Sequence, residues 1–115
     1  MDDQLWKVFA ALGDPIRRDM VARLTAGDAT VSALAAPYDV SMQAVSKHLR
    51  VLEEAGLVTR GRAAQTRPVH LEAQVFDLMT AWIERYRRQA EERYRRLDAV
   101  LAEMNEQPER KGKVS

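Results

Sequence analysis

The chain has 115 residues, of which 46% are hydrophobic and 6% aromatic, so we expect one domain with a mainly aliphatic core. It contains no cysteine and two histidines, His48 and His70, which excludes disulfides, thiolate metal ligands and a cysteine nucleophile and leaves poor material for a zinc site. The 18 basic and 17 acidic side chains nearly cancel, and this total argues against a protein that binds nucleic acid.

The N-terminus has none of the features of a targeting segment. Met1-Asp2-Asp3 lacks the basic and apolar regions of a secretory signal. No stretch approaches the roughly 18 consecutive apolar residues that a transmembrane helix needs. The expected location is therefore the cytoplasm, without contact with a membrane.

Apolar spacing, glycine and proline predict the first two helices. Before Gly13 the apolar residues recur at i, i+3, i+4 and i+7, which is typical of an amphipathic helix. These residues are Leu5, Val8, Phe9 and Leu12. Asp14 is expected to cap a second helix, with Pro15 at its first position, where the missing N–H costs nothing. Gly27 ends this helix.

The next two helices together predict a helix-turn-helix. Thr30 caps a third helix, which Pro37 limits to about two turns. Ser41 caps a fourth, which covers residues 42–55 and ends at Gly56. Its outward face is polar and consists of Gln43, Ser46, Lys47, Arg50 and Glu54. A short helix, a tight turn and a longer helix with a polar face form the helix-turn-helix arrangement.

A β-hairpin is predicted after the fourth helix. Residues 57–62 and 67–71 are two short runs joined by the polar residues 63–66. Because Pro68 cannot donate a hydrogen bond to a neighbouring strand, we expect it on an outer edge.

The last predicted element is a long helix from residue 72 to about residue 106, a segment without Gly or Pro. Its apolar side chains follow a seven-residue repeat: Phe76, Ile83, Ala90, Leu97 and Met104, with Met79, Tyr86 and Val100 between them. A helix of roughly 30 residues, about 45 Å long, presents more apolar surface than a small domain buries against itself. We therefore expect a second copy of the chain to pack on it. The alternative is that its first half packs within the chain and the rest is solvated.

The charged residues of this long helix predict an ion-paired, solvated face. Its arginines alternate with Glu84, Glu91 and Glu92 at distances of three and four residues. Residues 107–115 are polar and basic, and we expect them to form a disordered tail after a domain of residues 1–106.

The balanced total charge hides an uneven distribution. Residues 1–40 hold 4 basic and 6 acidic side chains, a net charge of −2, and residues 71–107 hold 6 and 8, again −2. Residues 41–70 hold 5 and 2, or +3, and residues 108–115 hold 3 and 1, or +2. The excess falls on the fourth helix and the hairpin, where a helix in a major groove and its flanking strands would meet phosphates.

These observations predict DNA contacts from the fourth helix and the hairpin. The amide of Gln43 and the hydroxyl of Ser46 can read base edges. Lys47 and Arg50 can reach guanine or phosphates. The remaining predicted DNA-binding residues are Ser41, His48, Arg60, Arg62, Thr66 and Arg67. In a dimer, two such surfaces would meet successive major grooves about 34 Å apart, which makes the expected operator an inverted repeat.

Two segments resemble the ArsR family of bacterial winged helix-turn-helix repressors. They read LGDPIRR at 12–18 and SMQAVSKHLRVLEEAGLV at 41–58, within a resemblance over roughly residues 5–100. It implies a mainly α fold of five helices with a small β-hairpin as the wing, the fourth helix as the recognition helix, and a homodimer formed by the first and last helices. The dimer contacts expected on this basis are Leu5, Trp6, Phe9, Phe76, Met79, Ile83, Tyr86, Ala90 and Leu97.

Departures from the family pattern argue against metal or thiol sensing. Metal-sensing members carry a Cys-Val-Cys type run where this chain has Thr30-Val31-Ser32, and a hydroxyl is not a competent ligand for a soft metal.

Ser46 and His48 face different directions on one helix, so they do not form a catalytic arrangement. We therefore expect no metal, no cofactor and no enzymatic activity, and the sequence leaves the effector undetermined.

The sequence thus predicts a homodimeric DNA-binding repressor. The alternative is a protein-interaction module that keeps the winged-helix fold and uses the long helix to bind another protein. The balanced total charge and a hairpin turn without glycine or additional arginines favour this alternative.

Overall fold

The computed structural model describes residues 3–61 and 68–114, with side chains up to residue 106. Their elements are α1 (Asp3–Ala11), α2 (Pro15–Leu24), β1 (Ala29–Thr30), α3 (Val31–Ala35), α4 (Met42–Glu54), β2 (Val58–Arg60), β3 (Pro68–Leu71) and α5 (Gln74–Val114). The chain divides into two compact units, residues 1–79 and residues 80–115.

Three helices begin at the cap residues that the sequence predicts. The side chains of Asp14, Thr30 and Ser41 each accept a hydrogen bond from the backbone N–H three residues later, at 3.0 to 3.1 Å. Gly56 follows α4 with a φ of 82°, in the left-handed region that favours glycine. A Cβ at this position would lie 2.7 Å from the side-chain nitrogen of Gln4, which is the end of a flexible side chain and can move, so it is the backbone conformation that favours glycine here.

The first unit has a closed aliphatic core, as its composition predicts. Its largest fully buried side chains come from α1 to α4, from β2 and β3, and from the residue just before β2: Met20, Leu34, Leu49, Leu52, Leu57, Val8, Val45, Val58 and Val69. Each such side chain contributes about 1.5 to 3 kcal/mol relative to an exposed position. This core holds α3 and α4 in place, since Leu34 lies on the first and Val45 and Leu49 on the second.

The strands between residues 29 and 61 and between residues 68 and 71 form a three-stranded sheet rather than the predicted two-stranded hairpin. Its order is β1-β3-β2, and both pairings are antiparallel. Pro68 therefore does not lie on an outer edge, because Thr30 of β1 is its partner in the register. Proline fits there as the first residue of β3, and its carbonyl still accepts a hydrogen bond from the N–H of Gly61 at 2.8 Å. The predicted turn of residues 63–66 lies outside the described residues.

The second unit is the helical segment from residue 80 onward. The sequence predicts the end of this helix near Glu106, whereas α5 continues to Val114 in the structure. Its charged side chains pair as predicted, since Arg87 lies 3.1 Å from Glu84 and 2.7 Å from Glu91. Trp82 and Tyr86 contact each other, with ring centroids 4.6 Å apart.

The large apolar side chains of the second unit are exposed between residues 80 and 106. They are Ile83, Tyr86, Tyr94, Leu97, Val100, Leu101 and Met104, each between 46% and 66% exposed. Among the other predicted dimer contacts, Ala90 and Trp6 are exposed, whereas Leu5 is already buried within the chain. Phe9 is half-buried, and Phe76 and Met79 pack partly against the core of the first unit.

No helix within residues 3–61 or 68–114 combines the length and the apolar character needed to cross a membrane.

Candidate nucleic-acid interface

Helix α4 has one buried and one exposed face. Val45, Leu49 and Leu52 lie at intervals of three and four residues and are fully buried. This packing turns the opposite face outward. Four predicted DNA-binding residues, Gln43, Ser46, Lys47 and Arg50, line a surface groove of about 460 Å³ there together with Met42.

The cationic groups of this groove are available to a ligand. Within residues 3–61 and 68–106, neither Lys47 nor Arg50 makes an ion pair or a side-chain hydrogen bond. Glu53, on the same helix, is paired instead with Arg60, with 2.7 Å between its Oε1 and the arginine Nε. The groove therefore presents two cations that are unpaired among the described side chains, and such cations attract phosphates.

Ser41 lies at the N-terminus of α4, where its side-chain oxygen caps the backbone. The oxygen accepts from the N–H of Ala44, and the residue is exposed. Its hydroxyl proton remains able to donate to a phosphate, and the partial positive charge of the helix N-terminus favours an anion at the same place.

His48 is half-buried and connects α4 to the start of α2. Its Nδ1 lies 3.2 Å from a guanidinium nitrogen of Arg17 and 3.9 Å from a carboxylate oxygen of Asp14. Arg17 in turn donates to the carbonyls of Ala11 at 2.6 Å and Ala10 at 3.3 Å, at the end of α1. This cluster fixes α4 against the α1–α2 turn, so His48 has a positioning role, and its contact with DNA stays a prediction.

The cap at Asp14 also changes the electrostatics of this cluster. The hydrogen bond from the backbone N–H of Arg17 lowers the pKa of the Asp14 carboxyl, and the electrostatic interactions of Asp14 with His48 and Arg17 act in the same direction. The carboxylate therefore stays ionised and keeps its role as a cap under mildly acidic conditions.

A second cluster, which the sequence reading missed, fixes the turn between α3 and α4. Arg23 donates to the carbonyls of Leu34 at 2.8 Å and Ala33 at 2.7 Å, and its guanidinium carbon lies 5.5 Å from the ring centroid of Tyr38. The Tyr38 hydroxyl donates to the carboxylate of Asp19. Burial, followed by this hydrogen bond, raises the pKa of Tyr38. The only sequence signal for the cluster is the four-residue spacing of Asp19 and Arg23 on α2.

The described part of the wing is held by polar contacts at its base. His70 on β3 lies 2.8 Å from Asp28, and the hydroxyl of Thr59 donates to Glu72 at 2.9 Å. The hydrogen bond that His70 donates to the Asp28 carboxylate, together with the negative charge of Asp28, raises the pKa of His70. Arg62, Thr66 and Arg67, three predicted DNA-binding residues, lie outside the described residues.

Comparisons with known proteins identify the same fold and the same region. A helix-turn-helix domain model matches residues 12–61, which cover α2 to α4 and β2. The uncharacterized HTH-type transcriptional regulator YuzN of Bacillus subtilis (strain 168) is 38% identical over 86 residues, which cover 67% of this chain and 92% of YuzN. A crystal structure of an ArsR family transcriptional regulator, RHA00566, superimposes with a TM-score of 0.75 at 35% identity, over 77% of this chain and 98% of that one. This chain belongs to the ArsR family.

A further relative of this ArsR-family regulator has a named function. The transcriptional repressor SdpR of Bacillus subtilis (strain 168) is 34% identical over 58 residues, which cover 50% of this chain and 64% of SdpR. The chain thus spans less than two thirds of SdpR, whereas it spans nearly all of YuzN.

The ArsR resemblance and the winged helix-turn-helix predicted from the sequence are confirmed. The regulator is mainly helical with a small antiparallel sheet, and α3 and α4 form its helix-turn-helix. Of its predicted DNA-binding residues, the structure brings Gln43, Ser46, Lys47 and Arg50 into one groove. It places Ser41 at the cap of the same helix, His48 on the side facing Arg17, and Arg60 in an ion pair.

Proposed function

We propose that this ArsR-family regulator is a homodimeric repressor that binds an inverted-repeat operator, with α4 in the major groove and the wing beside it. The observation that carries the proposal is the groove on α4, where Gln43, Ser46, Lys47 and Arg50 lie together and both cations lack an internal partner among the described residues. The name of the relative SdpR, a transcriptional repressor, supports repression as the direction of regulation.

The exposed apolar residues of the second unit support the homodimer. These residues are separated by three, four or seven positions, which places them along one side of α5. They are Ile83, Tyr86, Ala90, Leu97 and Met104. An exposed apolar stripe of this kind is typical of a surface that contacts another protein chain. A second copy of the chain supplies an identical stripe, and symmetric pairing would present two α4 helices to one operator.

The decisive experiment measures DNA affinity by fluorescence anisotropy with a duplex from the promoter region of the protein's own gene. We expect Lys47→Ala and Arg50→Ala each to weaken binding by on the order of 1–3 kcal/mol if the residue reads a base. If the residue contacts only a phosphate, the slope of log affinity against log salt concentration should instead become smaller by about one.

A matched control removes a cation elsewhere. Arg85→Ala removes one exposed positive charge from α5 and should leave affinity and salt dependence nearly unchanged. Normal binding by both α4 variants, with dimers intact, would show that α4 is not the recognition helix.

The second candidate is a protein-interaction module that uses α5, favoured by the same exposed apolar residues. The salt dependence of binding distinguishes the two functions. DNA affinity falls steeply as the salt concentration rises, because binding releases counterions from the DNA, whereas the affinity of an apolar helix contact does not. Failure of every neighbouring promoter to bind at low salt would favour this second function.

We also propose where the regulator acts and what it requires. The regulator acts in the cytoplasm on the nucleoid, has no enzymatic activity, and needs no metal or cofactor to bind DNA. A thermal unfolding experiment with added zinc or arsenite should therefore show no shift, and a clear shift would indicate a metal-sensing member of the family.

A further inference from the structure

Met42, on the first turn of α4, is an exposed apolar residue on a surface that is otherwise polar. Its side chain is 53% exposed, whereas Val45, Leu49 and Leu52 on the inner face of the same helix are fully buried. The core therefore does not account for this methionine. A single exposed apolar side chain is common on a protein surface. Met42, however, lines the groove beside Gln43 and Lys47, so it would contact whatever ligand enters there.

The groove around Met42 restricts what that ligand can be. Among its described lining residues Met42 alone is apolar, and the others supply an amide, a hydroxyl and two cations. The two cations, Lys47 and Arg50, favour a polyanion over an apolar protein surface. In the major groove of duplex DNA the apolar group on a base edge is the C5-methyl of thymine.

The next residue in the chain offers a complementary contact. Gln43 carries an amide, which pairs with N6 and N7 of adenine, while Met42 carries a flexible thioether that adapts to small apolar groups. A DNA sequence that places a thymine and an adenine opposite the start of α4 would give Met42 an apolar contact and Gln43 its hydrogen bonds.

We propose that Met42 contacts a thymine methyl group in the operator and makes the regulator prefer thymine at that position. The inference rests on the proposed function, because it requires α4 to enter the major groove. It adds to that function a residue that determines specificity and the chemical group that the residue reads.

The test removes methyl groups from the DNA without changing its hydrogen bonds. Within the bound duplex from the promoter region of the regulator's own gene, each thymine of one half-site is replaced in turn by deoxyuridine, and affinity is measured by fluorescence anisotropy at fixed salt. For the unaltered protein we expect one position where the replacement weakens binding about fourfold, the effect of one methyl group that is no longer buried.

The variants assign that effect to Met42. Met42→Ala should bind the thymine duplex more weakly and lose the difference between thymine and deoxyuridine, whereas Met42→Leu, which stays apolar, should keep it. Val40→Ala is the matched control. Val40 is another exposed apolar residue near the start of α4, 40% exposed, but it does not line the groove. This variant should keep the full difference between thymine and deoxyuridine. Circular dichroism checks that each variant is folded.

Two results would overturn the inference, and they are distinguishable. If specific binding is observed but no thymine methyl matters, or if Met42→Ala retains the full methyl dependence, the role of Met42 is wrong and the proposed function stands. If no promoter duplex binds at low salt, the proposed function fails and the inference fails with it.

Discussion

The two units of this ArsR-family regulator use similar apolar spacing with opposite results. In the first unit Leu49 is fully buried, together with side chains from three other helices and the sheet. In the second unit Leu97 is 48% exposed, although it also lies at helical spacing from other apolar residues. Spacing alone therefore specifies a helix with an apolar side, while burial depends on whether other elements of the same chain can cover that side.

This difference assigns different tasks to the two units. The first unit has the closed core that holds α4 and its groove in a fixed geometry, which DNA recognition needs. The second unit consists of helix alone, and a lone helix gains little stability from its exposed ion pairs, such as Arg87 with Glu84 and Glu91. We propose that a partner helix stabilises it, and that this partner is a second copy of the chain.

The largest effect should come from the core of the first unit. Leu49→Ala leaves a cavity behind α4 and should lower the free energy of unfolding by about 2–5 kcal/mol. Urea titrations followed by circular dichroism measure this loss, which should not vary with protein concentration. Leu97→Ala provides the comparison, because its effect should act through the dimer and diminish as the protein is diluted. A Leu49→Ala variant as stable as the unaltered protein would contradict the assigned core.

A smaller effect is expected from a charge on the apolar side of the second unit. Leu97→Glu should raise the dissociation constant of the dimer by about tenfold or more, because a carboxylate is costly to bury in an apolar interface. Sedimentation equilibrium measures the constant. Ala99→Glu introduces the same charge about 200° around the helix, on the opposite side, and should leave the dimer intact. Equal effects of the two variants would show that this stripe is not the interface.

The smallest effect concerns the pH dependence of the first unit. His70 faces Asp28 and, at 3.9 Å, Glu72, and its pKa is raised by the hydrogen bond with Asp28. Because the folded pKa lies above the ordinary value of about 6.5, the pair stabilises the fold fully below that value and loses this contribution as pH rises through the raised pKa. The second unit has no histidine and should show no such dependence.

Urea midpoints at several pH values, compared between the unaltered protein and His70→Gln, measure this contribution. The difference between the two proteins should shrink as pH rises, and Asp28→Asn should reduce it in the same way. A difference that stays constant from pH 5.5 to 8.5 would exclude the pair as a source of stability.

The features that the sequence determined by itself are those with local causes. The caps at Asp14, Thr30 and Ser41 depend on hydrogen bonds that reach three residues along the chain, so single residue types predict them. The grouping of Gln43, Ser46, Lys47 and Arg50 follows from helical periodicity once the buried side of α4 is known.

Tertiary structure decided the features whose partners lie far apart in the chain. Strand β1 has two residues, too few for a periodic pattern, and it exists because Ala29 pairs with Val69. The contacts of Arg17 with His48 and of Arg23 with Tyr38 likewise join residues 31 and 15 positions apart. A long cationic side chain can reach many partners, and only packing of the core selects one of them, which is why these contacts had to be observed in the folded protein.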